Sequence, residues 1–302
     1  MRRYRSIHFL VIAFIVASFL SSTLAQTLNN SAANSSSAAS PVKLALPLKE
    51  GSLRFAVVGD TGSGTQKQRD VGEMMVKYHA AFPFEFVLMM GDNLYGSESP
   101  RDFETKFSEP YKKLLDDKVK FYATLGNHDL PLQVNYQNFN MNGKEYYRFK
   151  KGSVAFYSLN SNYMAKKQVE WLESELSKDT SDWKVCFFHH PPYSSAKKHG
   201  SDNQLREVVE PIFVKYGVDV VLSGHDHVYE RIKPQQGIYY FVSGAGGQLR
   251  AGDVKPSPFV EKAYDSDMHF MLFEVVGDQM YFQTISRTGE TVDSGVIARR
   301  KK

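Results

Sequence analysis

The sequence predicts an α/β fold of two packed β-sheets with helices on the outside. Short apolar runs alternate with helix-like segments over most of the chain, whereas the end of the chain is rich in strand patterns. Five of the apolar runs also end in short polar motifs. Early alternation followed by a β-rich end favours two packed sheets over a single doubly wound sheet.

The N-terminus, residues 1–25, is predicted to be a cleaved export signal. Three arginines precede the uncharged apolar run Phe9–Leu20, and the small residues Thr23–Ala25 fit a signal-peptidase site. The alternative is a membrane anchor, but this run is shorter than the ~20 residues that a spanning helix needs. We therefore expect a secreted, periplasmic or lysosome-like protein without membrane contact after cleavage.

Composition divides the rest of the chain into three parts. Residues 26–50, rich at first in Ser, Ala and Asn, are predicted to be a disordered linker, 51–298 one globular domain, and 299–302 a solvated basic tail. Of the formal net charge of +4, the leader and the tail carry the basic excess, so the body is slightly acidic. That balance argues against a nucleic-acid partner. Cys186 is the only cysteine, which excludes an internal disulfide.

The first half of the domain alternates between strands and helices. Apolar runs predict strands at Leu53–Val58, Phe84–Met90 and Phe121–Leu125. Apolar residues at helical spacing predict a helix over Thr65–Lys77. A second helix is predicted to carry three aromatic residues on one face, namely Phe103, Phe107 and Tyr111.

The second half begins with a hairpin that turns at Lys151-Gly152. Amphipathic spacing predicts helices over Lys166–Lys178 and Asn203–Tyr216. Further apolar runs predict strands at Lys184–Phe188, Val218–Leu222 and Ile238–Val242, and a closing hairpin of Phe270–Val276 with Met280–Ser286. The segment between them, residues 246–267, matches no pattern and is left unassigned.

Five strands end in polar motifs: GDTG at 59–62, GDNLY at 91–95, GNHD at 126–129, HHPP at 189–192 and GHDH at 224–227. Each has an ordinary interpretation alone, since Asp60 suits a turn, Asn127 suits a helix cap, and histidines near strand ends are common on surfaces. Ligands bind beyond the carboxyl ends of strands in sheets of this kind, so the five motifs are expected to converge on one edge.

The converging side chains are oxygen and nitrogen donors that suit metal ions. They are Asp60, Asp92, Tyr95, Asn127, His190, His225 and His227. These are too many for one ion, whereas two ions that share one carboxylate would use them all. Two-metal sites suit phosphoester chemistry because they stabilise both the attacking and the leaving oxygen.

The series GDTG, GDNLYG, LGNHD, HHPPYS and GHDHVYER resembles the calcineurin-like metallophosphoesterases. The Asn-x-Tyr in GDNLY is similar to the purple acid phosphatases, and the short chain is similar to their small, tartrate-resistant branch. The resemblance covers roughly Leu53–Ser286. It implies a four-layer α/β/β/α sandwich of two mixed β-sheets, with 51–298 as the metallophosphoesterase catalytic domain.

The resemblance also implies roles for individual residues. A ferric ion would be held by Asp60, Tyr95, His227 and the shared Asp92, and a divalent ion (Fe, Zn or Mn) by Asp92, Asn127, His190 and His225. The adjacent His189 is the alternative to His190. His128 and His199 match the two catalytic, substrate-facing histidines of the family. The chain lacks the cysteine pair of the animal enzymes.

The implied activity is hydrolysis of phosphate monoesters, of small molecules or proteins, by attack of a metal-bound hydroxide in an exported, monomeric acid phosphatase. The chemistry is consistent, because Fe³⁺ is hard and prefers carboxylate, phenolate and imidazole to thiolate. A metal ion also lowers the pKa of bound water. Two alternatives stay open: a phosphodiesterase or nucleotidase of the same fold, and a non-catalytic secreted binding protein on this scaffold.

Overall fold

In the computed structural model, which describes residues 42–300, two mixed β-sheets stack between outer layers of helix, as the sequence predicts. Sheet A has six strands in the order β13-β12-β11-β1-β2-β3. Their bounds are β1 Leu53–Val58, β2 Phe86–Met89, β3 Lys120–Ala123, β11 His269–Val276, β12 Gln279–Ser286 and β13 Thr291–Ala298.

Sheet B has seven strands in the order β10-β8-β9-β7-β6-β5-β4. Their bounds are β4 Tyr147–Lys151, β5 Val154–Ser158, β6 Trp183–Phe187, β7 Val220–Ser223, β8 Tyr229–Ile232, β9 Tyr239–Ser243 and β10 Val260–Tyr264. The hairpin of β4 and β5 and the hairpin of β11 and β12 lie where the sequence predicts them.

The parallel strands determine where the polar motifs lie. In sheet A, β1, β2 and β3 run parallel, with Val58 beside Met89 and Met89 beside Ala123. In sheet B, β6 and β7 run parallel, with Phe187 beside Leu222. The loops that follow these five strands therefore leave from the same edge of their sheets.

Aromatic side chains fill the space between the two sheets. The ring of Phe55 on β1 meets Phe156 on β5 edge-on, with 5.3 Å between centroids. At the other side of this core, Phe241 on β9 lies 5.0 Å from Phe282 on β12. Burying a side chain of this size stabilises a fold by ~1.5–3 kcal/mol, so this layer holds the sheets together.

Helices cover the outer faces. Helix α1, Gln66–Ala81, begins at the N-cap Thr65 and contacts sheet A through Tyr78, whose ring lies 5.8 Å from Phe270. On sheet B, α4 (Lys166–Lys178) and α5 (Asn203–Tyr216) bury a second apolar cluster that includes Leu172 and Phe213. Both helices have the bounds that the sequence predicts.

The predicted helix with three aromatic residues is broken into shorter pieces. They are α2 at Pro100–Phe103, a π-helical turn at Glu104–Ser108 and α3 at Lys112–Asp116. Pro110 explains the break, because proline has no backbone N–H to donate and its ring clashes with the preceding turn. Short 3₁₀ turns follow at Pro131–Asn135 and Gln137–Phe139. The sequence analysis also missed β8, β10 and β13, and β10 lies within the unassigned segment 246–267.

The predicted linker extends too far toward the domain. Residues 42–50 run along sheet A, where the backbone N–H groups of Leu48 and Lys49 donate to the buried carboxylate of Glu274 at 2.8 and 2.6 Å. Arg299 of the predicted basic tail likewise forms a 2.7 Å ion pair with Asp278. The predicted signal and the start of the linker lie outside the described residues. Within 42–300, no helix is long and apolar enough to cross a membrane.

Candidate metal centre

The five polar motifs meet at one edge of the sandwich and connect its two sheets. Loops after β1, β2 and β3 bring Asp60, Asp92, Tyr95 and Asn127 from sheet A, and loops after β6 and β7 bring four histidines from sheet B. The backbone N–H of His225 donates to Asp60 Oδ2 at 2.9 Å, across the two sheets. The sequence analysis therefore predicted the convergence correctly.

One half of the cluster contains Asp60, Tyr95 and His227. The Tyr95 hydroxyl donates to Asp60 Oδ1 at 3.3 Å and lies 3.1 Å from His227 Nε2. His227 Nε2 is in turn 3.3 Å from Asp60 Oδ1. A carboxylate, a phenol and an imidazole thus direct their polar atoms at one point.

The other half contains Asp92, Asn127, His189 and His225. His189 Nε2 lies 3.0 Å from Asn127 Oδ1, 3.1 Å from His225 Nδ1 and 3.4 Å from Asp92 Oδ1. A carboxylate oxygen of Asp92 also lies within 4.8 Å of one of Asp60, which belongs to the first half. Asp92 is therefore adjacent to both halves of the cluster.

The two adjacent histidines have different surroundings, although ring nitrogens of both lie within 4.8 Å of one another and of a ring nitrogen of His225. His189 is fully buried among the donors, whereas His190 Nδ1 lies 2.9 Å from Ser161 Oγ and its ring lines a cavity beside His225. His189 Nδ1 lies 2.8 Å from the carbonyl oxygen of Met90, which accepts a hydrogen bond from a protonated Nδ1. Both histidines precede an x-Pro pair, so sequence spacing alone could not separate them.

Three of the predicted metal-binding residues have left-handed backbone conformations. The φ angles are 56° at Asp60, 49° at Asp92 and 67° at His225. Such conformations cost roughly 1–3 kcal/mol each in non-glycine residues and occur where the surrounding structure enforces them. They direct these side chains out of their strands toward a common point, a feature that sequence patterns do not reveal.

Glycines that precede two of the predicted ligands, Gly126 before Asn127 and Gly224 before His225, allow the loops to approach closely. A Cβ atom on Gly126 would lie 2.2 Å from the backbone nitrogen of Asp92, and one on Gly224 would lie 2.4 Å from Asp60 Oδ2. No larger residue fits at either position without displacing a predicted metal-binding side chain.

Asp129, which the sequence analysis did not assign, connects two of the motifs. Its buried carboxylate accepts hydrogen bonds from the backbone N–H groups of Asn93 and Leu94 at 3.1 Å and of Gly126 at 2.8 Å. It also accepts one from the Gln133 amide at 2.7 Å. The loops that carry Asp92 and Asn127 are thus held to each other by one side chain.

The predicted substrate-facing histidines lie at the rim and are exposed. The backbone N–H of His128 donates to Asp92 Oδ1 at 3.0 Å, and its ring lies 5.1 Å from that of Tyr95. The His199 ring lies 4.2 Å from that of His225. A cavity of about 510 Å³ opens beside His199 and is lined also by His190, Lys198 and Gln204. A substrate therefore has space next to His199.

Burial strongly affects the charges in this cluster. Burial, followed by the neighbouring charge of Asp92, raises the pKa of Asp60 well above its ordinary value. Burial and the adjacent His190 lower the pKa of His189 far below its usual range, and burial lowers the pKa of His227 to about 4. The imidazoles are therefore neutral, which is the form that binds metals.

The donor set fits metal cations. With its proton on Nδ1, His189 directs a lone pair from Nε2 at the amide oxygen of Asn127 and the carboxylate of Asp92, and none of these atoms has a proton to share. Acceptors that face one another in a partly buried site are costly unless a cation lies between them. Carboxylate, phenol, amide and imidazole groups together suit hard or borderline ions.

Residues 53–229 match the family model for the calcineurin-like phosphoesterases. The chain belongs to this family. It is 29% identical over 249 residues to tartrate-resistant acid phosphatase type 5 of Oryctolagus cuniculus, covering 67% of this chain and 76% of that protein. Among calcineurin-like phosphoesterases, the chain is therefore a phosphoesterase of the purple acid phosphatase type, and such relatives imply a dimetal centre.

Solved structures support the same fold. A structure described as GAP50, the anchor in the inner membrane complex of Plasmodium, matches with a TM-score of 0.71 and 22% identity, covering 83% of this chain and 90% of that one. The purple acid phosphatase PPD1 from yellow lupin (Lupinus luteus) seeds matches with a TM-score of 0.67 and 18% identity, covering 84% of this chain and 55% of that one.

Proposed function

We propose that the protein is an exported acid phosphatase that hydrolyses phosphate monoesters with a ferric ion and a divalent ion, Fe, Zn or Mn. The observation that carries this proposal is the Tyr95 hydroxyl, which lies 3.3 Å from Asp60 Oδ1 and 3.1 Å from His227 Nε2. A phenol among carboxylate and imidazole donors is a hard ligand, which favours a trivalent iron over a softer ion.

The contacts support a specific division of ligands between the two ions. Asp60, Tyr95 and His227 would hold the ferric ion, Asn127, His189 and His225 the divalent ion, and Asp92 both. We choose His189 over His190 because its Nε2 faces the other donors, while its Nδ1 bonds to a carbonyl oxygen as metal-binding histidines commonly do. Two bound ions would supply Lewis-acid activation of the attacking water and of the phosphate.

His128 and His199 would act on the substrate from the rim. Each can donate a hydrogen bond to a phosphate oxygen when protonated, and either can give a proton to the leaving oxygen. The position of His128 is tied to Asp92 by its backbone hydrogen bond. These contacts support a role beside the ions and not as ligands to them.

Two acidic side chains hold the loop that carries His199. The buried Glu230 carboxylate accepts hydrogen bonds from the Ser195 backbone N–H at 2.9 Å and from the Ser195 hydroxyl. Asp226 Oδ2 accepts one from the Gly200 N–H at 3.2 Å. These hydrogen bonds fix the loop at Ser195 and Gly200, on either side of His199. They therefore keep the imidazole at the edge of the cavity.

The proposal that the protein is exported rests on the N-terminal leader: its arginines, apolar run and small residues before residue 26. The substrates would be small-molecule or protein phosphate monoesters, and the mature protein a monomer without nucleic-acid or membrane partners. N-terminal sequencing of protein from the culture medium or periplasm would test cleavage after Ala25.

Purified protein would test the activity. We expect two metal ions per chain, one of them iron, and faster hydrolysis of p-nitrophenyl phosphate than of bis(p-nitrophenyl) phosphate at acidic pH. Asp92→Asn, prepared in parallel, controls for contaminating phosphatases. Faster diester hydrolysis would instead identify a phosphodiesterase, and a fully metallated but inactive protein would identify a binding protein.

A further inference from the structure

Residues 246–255, here called the crossing segment, connect two loops of the metal centre. At one end the Gly246 N–H donates to the Gly59 carbonyl oxygen at 2.9 Å, against the GDTG motif. At the other end Ala196 forms an antiparallel bridge with Val254, and the Lys197 N–H donates to the Asp253 carbonyl oxygen at 2.8 Å. The segment therefore runs from the first metal-binding motif to the His199 loop.

Arg250 lies in the middle of the crossing segment, next to the metal centre. Its backbone N–H donates to the carbonyl oxygen of His227 at 3.1 Å. The Arg250 backbone therefore lies directly against the GHDH motif.

Within residues 42–300, the Arg250 guanidinium forms no ion pair with a carboxylate. Its Nη1 atom is shielded from solvent and has no hydrogen-bond partner among residues 42–300. In contrast, Arg231 Nε lies 2.8 Å from Asp293 and Arg287 Nε lies 3.0 Å from Asp267. A partly buried cation without an anion is costly, so this position fits one whose anionic partner arrives with a ligand.

We propose that Arg250 binds a non-bridging oxygen of the substrate phosphate and so favours monoesters. This inference rests on the proposed function of the same site. A guanidinium presents N–H donors in a planar fork that matches phosphate geometry. A monoester has three non-bridging acceptor oxygens, whereas a diester has two, and the second negative charge of the monoester is present only above its second pKa of ~6. Arg250 therefore supplies attraction that a monoester uses more fully than a diester.

Substitution of Arg250 tests this assignment. Arg250→Gln should weaken binding of inorganic phosphate about 10- to 100-fold, as expected for loss of a charge-assisted hydrogen bond. It should raise KM for p-nitrophenyl phosphate and change kcat/KM for bis(p-nitrophenyl) phosphate much less. Arg250→Lys keeps the charge but not the planar fork of N–H donors. Its phosphate affinity should lie between those of the wild type and Arg250→Gln. Lys255→Gln is the matched control, since it removes an exposed charge from the same segment.

The measurements are the inhibition constant of inorganic phosphate, calorimetric titration of phosphate into the metal-loaded protein, and metal content. Unchanged phosphate affinity in Arg250→Gln at unchanged metal content would overturn the inference, as would equal losses on both substrates. If Arg250→Gln is unstable, wild-type phosphate affinity in folded Arg250→Lys would assign Arg250 a structural role and overturn it too. A wild type that binds phosphate but hydrolyses neither ester would count against the proposed function, while the titration still tests Arg250.

Discussion

His189 Nδ1 lies 2.8 Å from the carbonyl oxygen of Met90, a residue 99 positions earlier in the chain. This contact links β6 of sheet B to the loop after β2 of sheet A. Because the carbonyl accepts the imidazole proton, the second ring nitrogen is left to face Asn127 at 3.0 Å. The orientation of His189 is thus determined by the packing of one sheet on the other.

The first prediction separates His189 from His190. His189→Ala should lose about one of two bound ions per chain, because the substitution removes one of the ligands proposed for the divalent ion. His190→Ala should keep both ions, since the His190 ring bonds to Ser161 at 2.9 Å. Elemental analysis of both variants after dialysis provides the measurement. The reverse pattern would return the ligand role to His190.

The second prediction concerns Tyr95. An oxidised, metal-loaded wild type should be purple to pink, because a phenolate bound to Fe³⁺ gives a visible charge-transfer band. Tyr95→Phe should abolish the band while circular dichroism stays unchanged. Absorption spectra are compared at equal iron content, with Tyr163→Phe as the control because that ring is exposed. A wild type with bound, oxidised iron but no visible band would contradict the iron-tyrosinate assignment.

The third prediction concerns proton donation by His128 and His199. General acid catalysis is typically worth ~10²–10⁴-fold where the leaving oxygen needs a proton, as an alkyl alkoxide does and a nitrophenolate hardly does. At least one of His128→Ala and His199→Ala should therefore lose much more kcat/KM on an alkyl phosphate than on p-nitrophenyl phosphate. We expect His128 to be that residue.

The control for this comparison is metal content, which should stay unchanged in both variants. Loss of phosphate binding alone would raise KM for both substrates alike. Equal losses on both substrates in both variants would leave these histidines as binding groups and require another proton donor.

The fourth prediction concerns His269 on β11, which is fully buried beside Tyr229. Burial lowers its pKa to about 3, and neither ring nitrogen has a hydrogen-bond partner among residues 42–300. The unfolded chain, with a pKa of ~6.5, binds the proton more readily, so stability is present above that pH and is lost as the pH falls toward the folded value. The metal-free wild type should lose about 2–3 kcal/mol through this group between pH ~6.5 and ~4.5.

His269→Phe should remove this part of the pH dependence. Urea unfolding of wild type and variant at both pH values, with chelator present, measures the difference in the free energy of unfolding. The free energy of unfolding should change less with pH in His269→Phe than in the wild type. Parallel slopes would mean that His269 keeps an ordinary pKa in the folded protein.

Much of the fold could be predicted because its signals are local. Helices α4 and α5 begin and end at the predicted residues, since their apolar residues recur within a few positions of each other and α5 also has the caps Asp202 and Gly217. The convergence of five motifs likewise follows from strands that end in polar residues. Strand β10 was missed because its burial pattern is mostly intermediate or exposed, so it has no apolar run to reveal it.

The finer geometry of the site depends on contacts that sequence spacing does not encode. The choice between His189 and His190 depends on a carbonyl of the opposite sheet, and the position of Arg250 depends on a segment anchored at both ends by other loops. The buried carboxylate of Asp129 receives its hydrogen bonds from residues on two loops, so its role appears only when both are in place.

The location of the centre at the junction of the two sheets has a consequence for how the protein keeps its metals. The chain has one cysteine, so no disulfide within it links sheet A to sheet B. Bound ions would instead link the two sheets, with Asp60, Asp92 and Asn127 on one side and three histidines on the other. Their binding energy would add to the free energy of unfolding. A chelator would then remove the ions only after the two sheets separate. The rate of metal release would therefore be limited by the rate of unfolding.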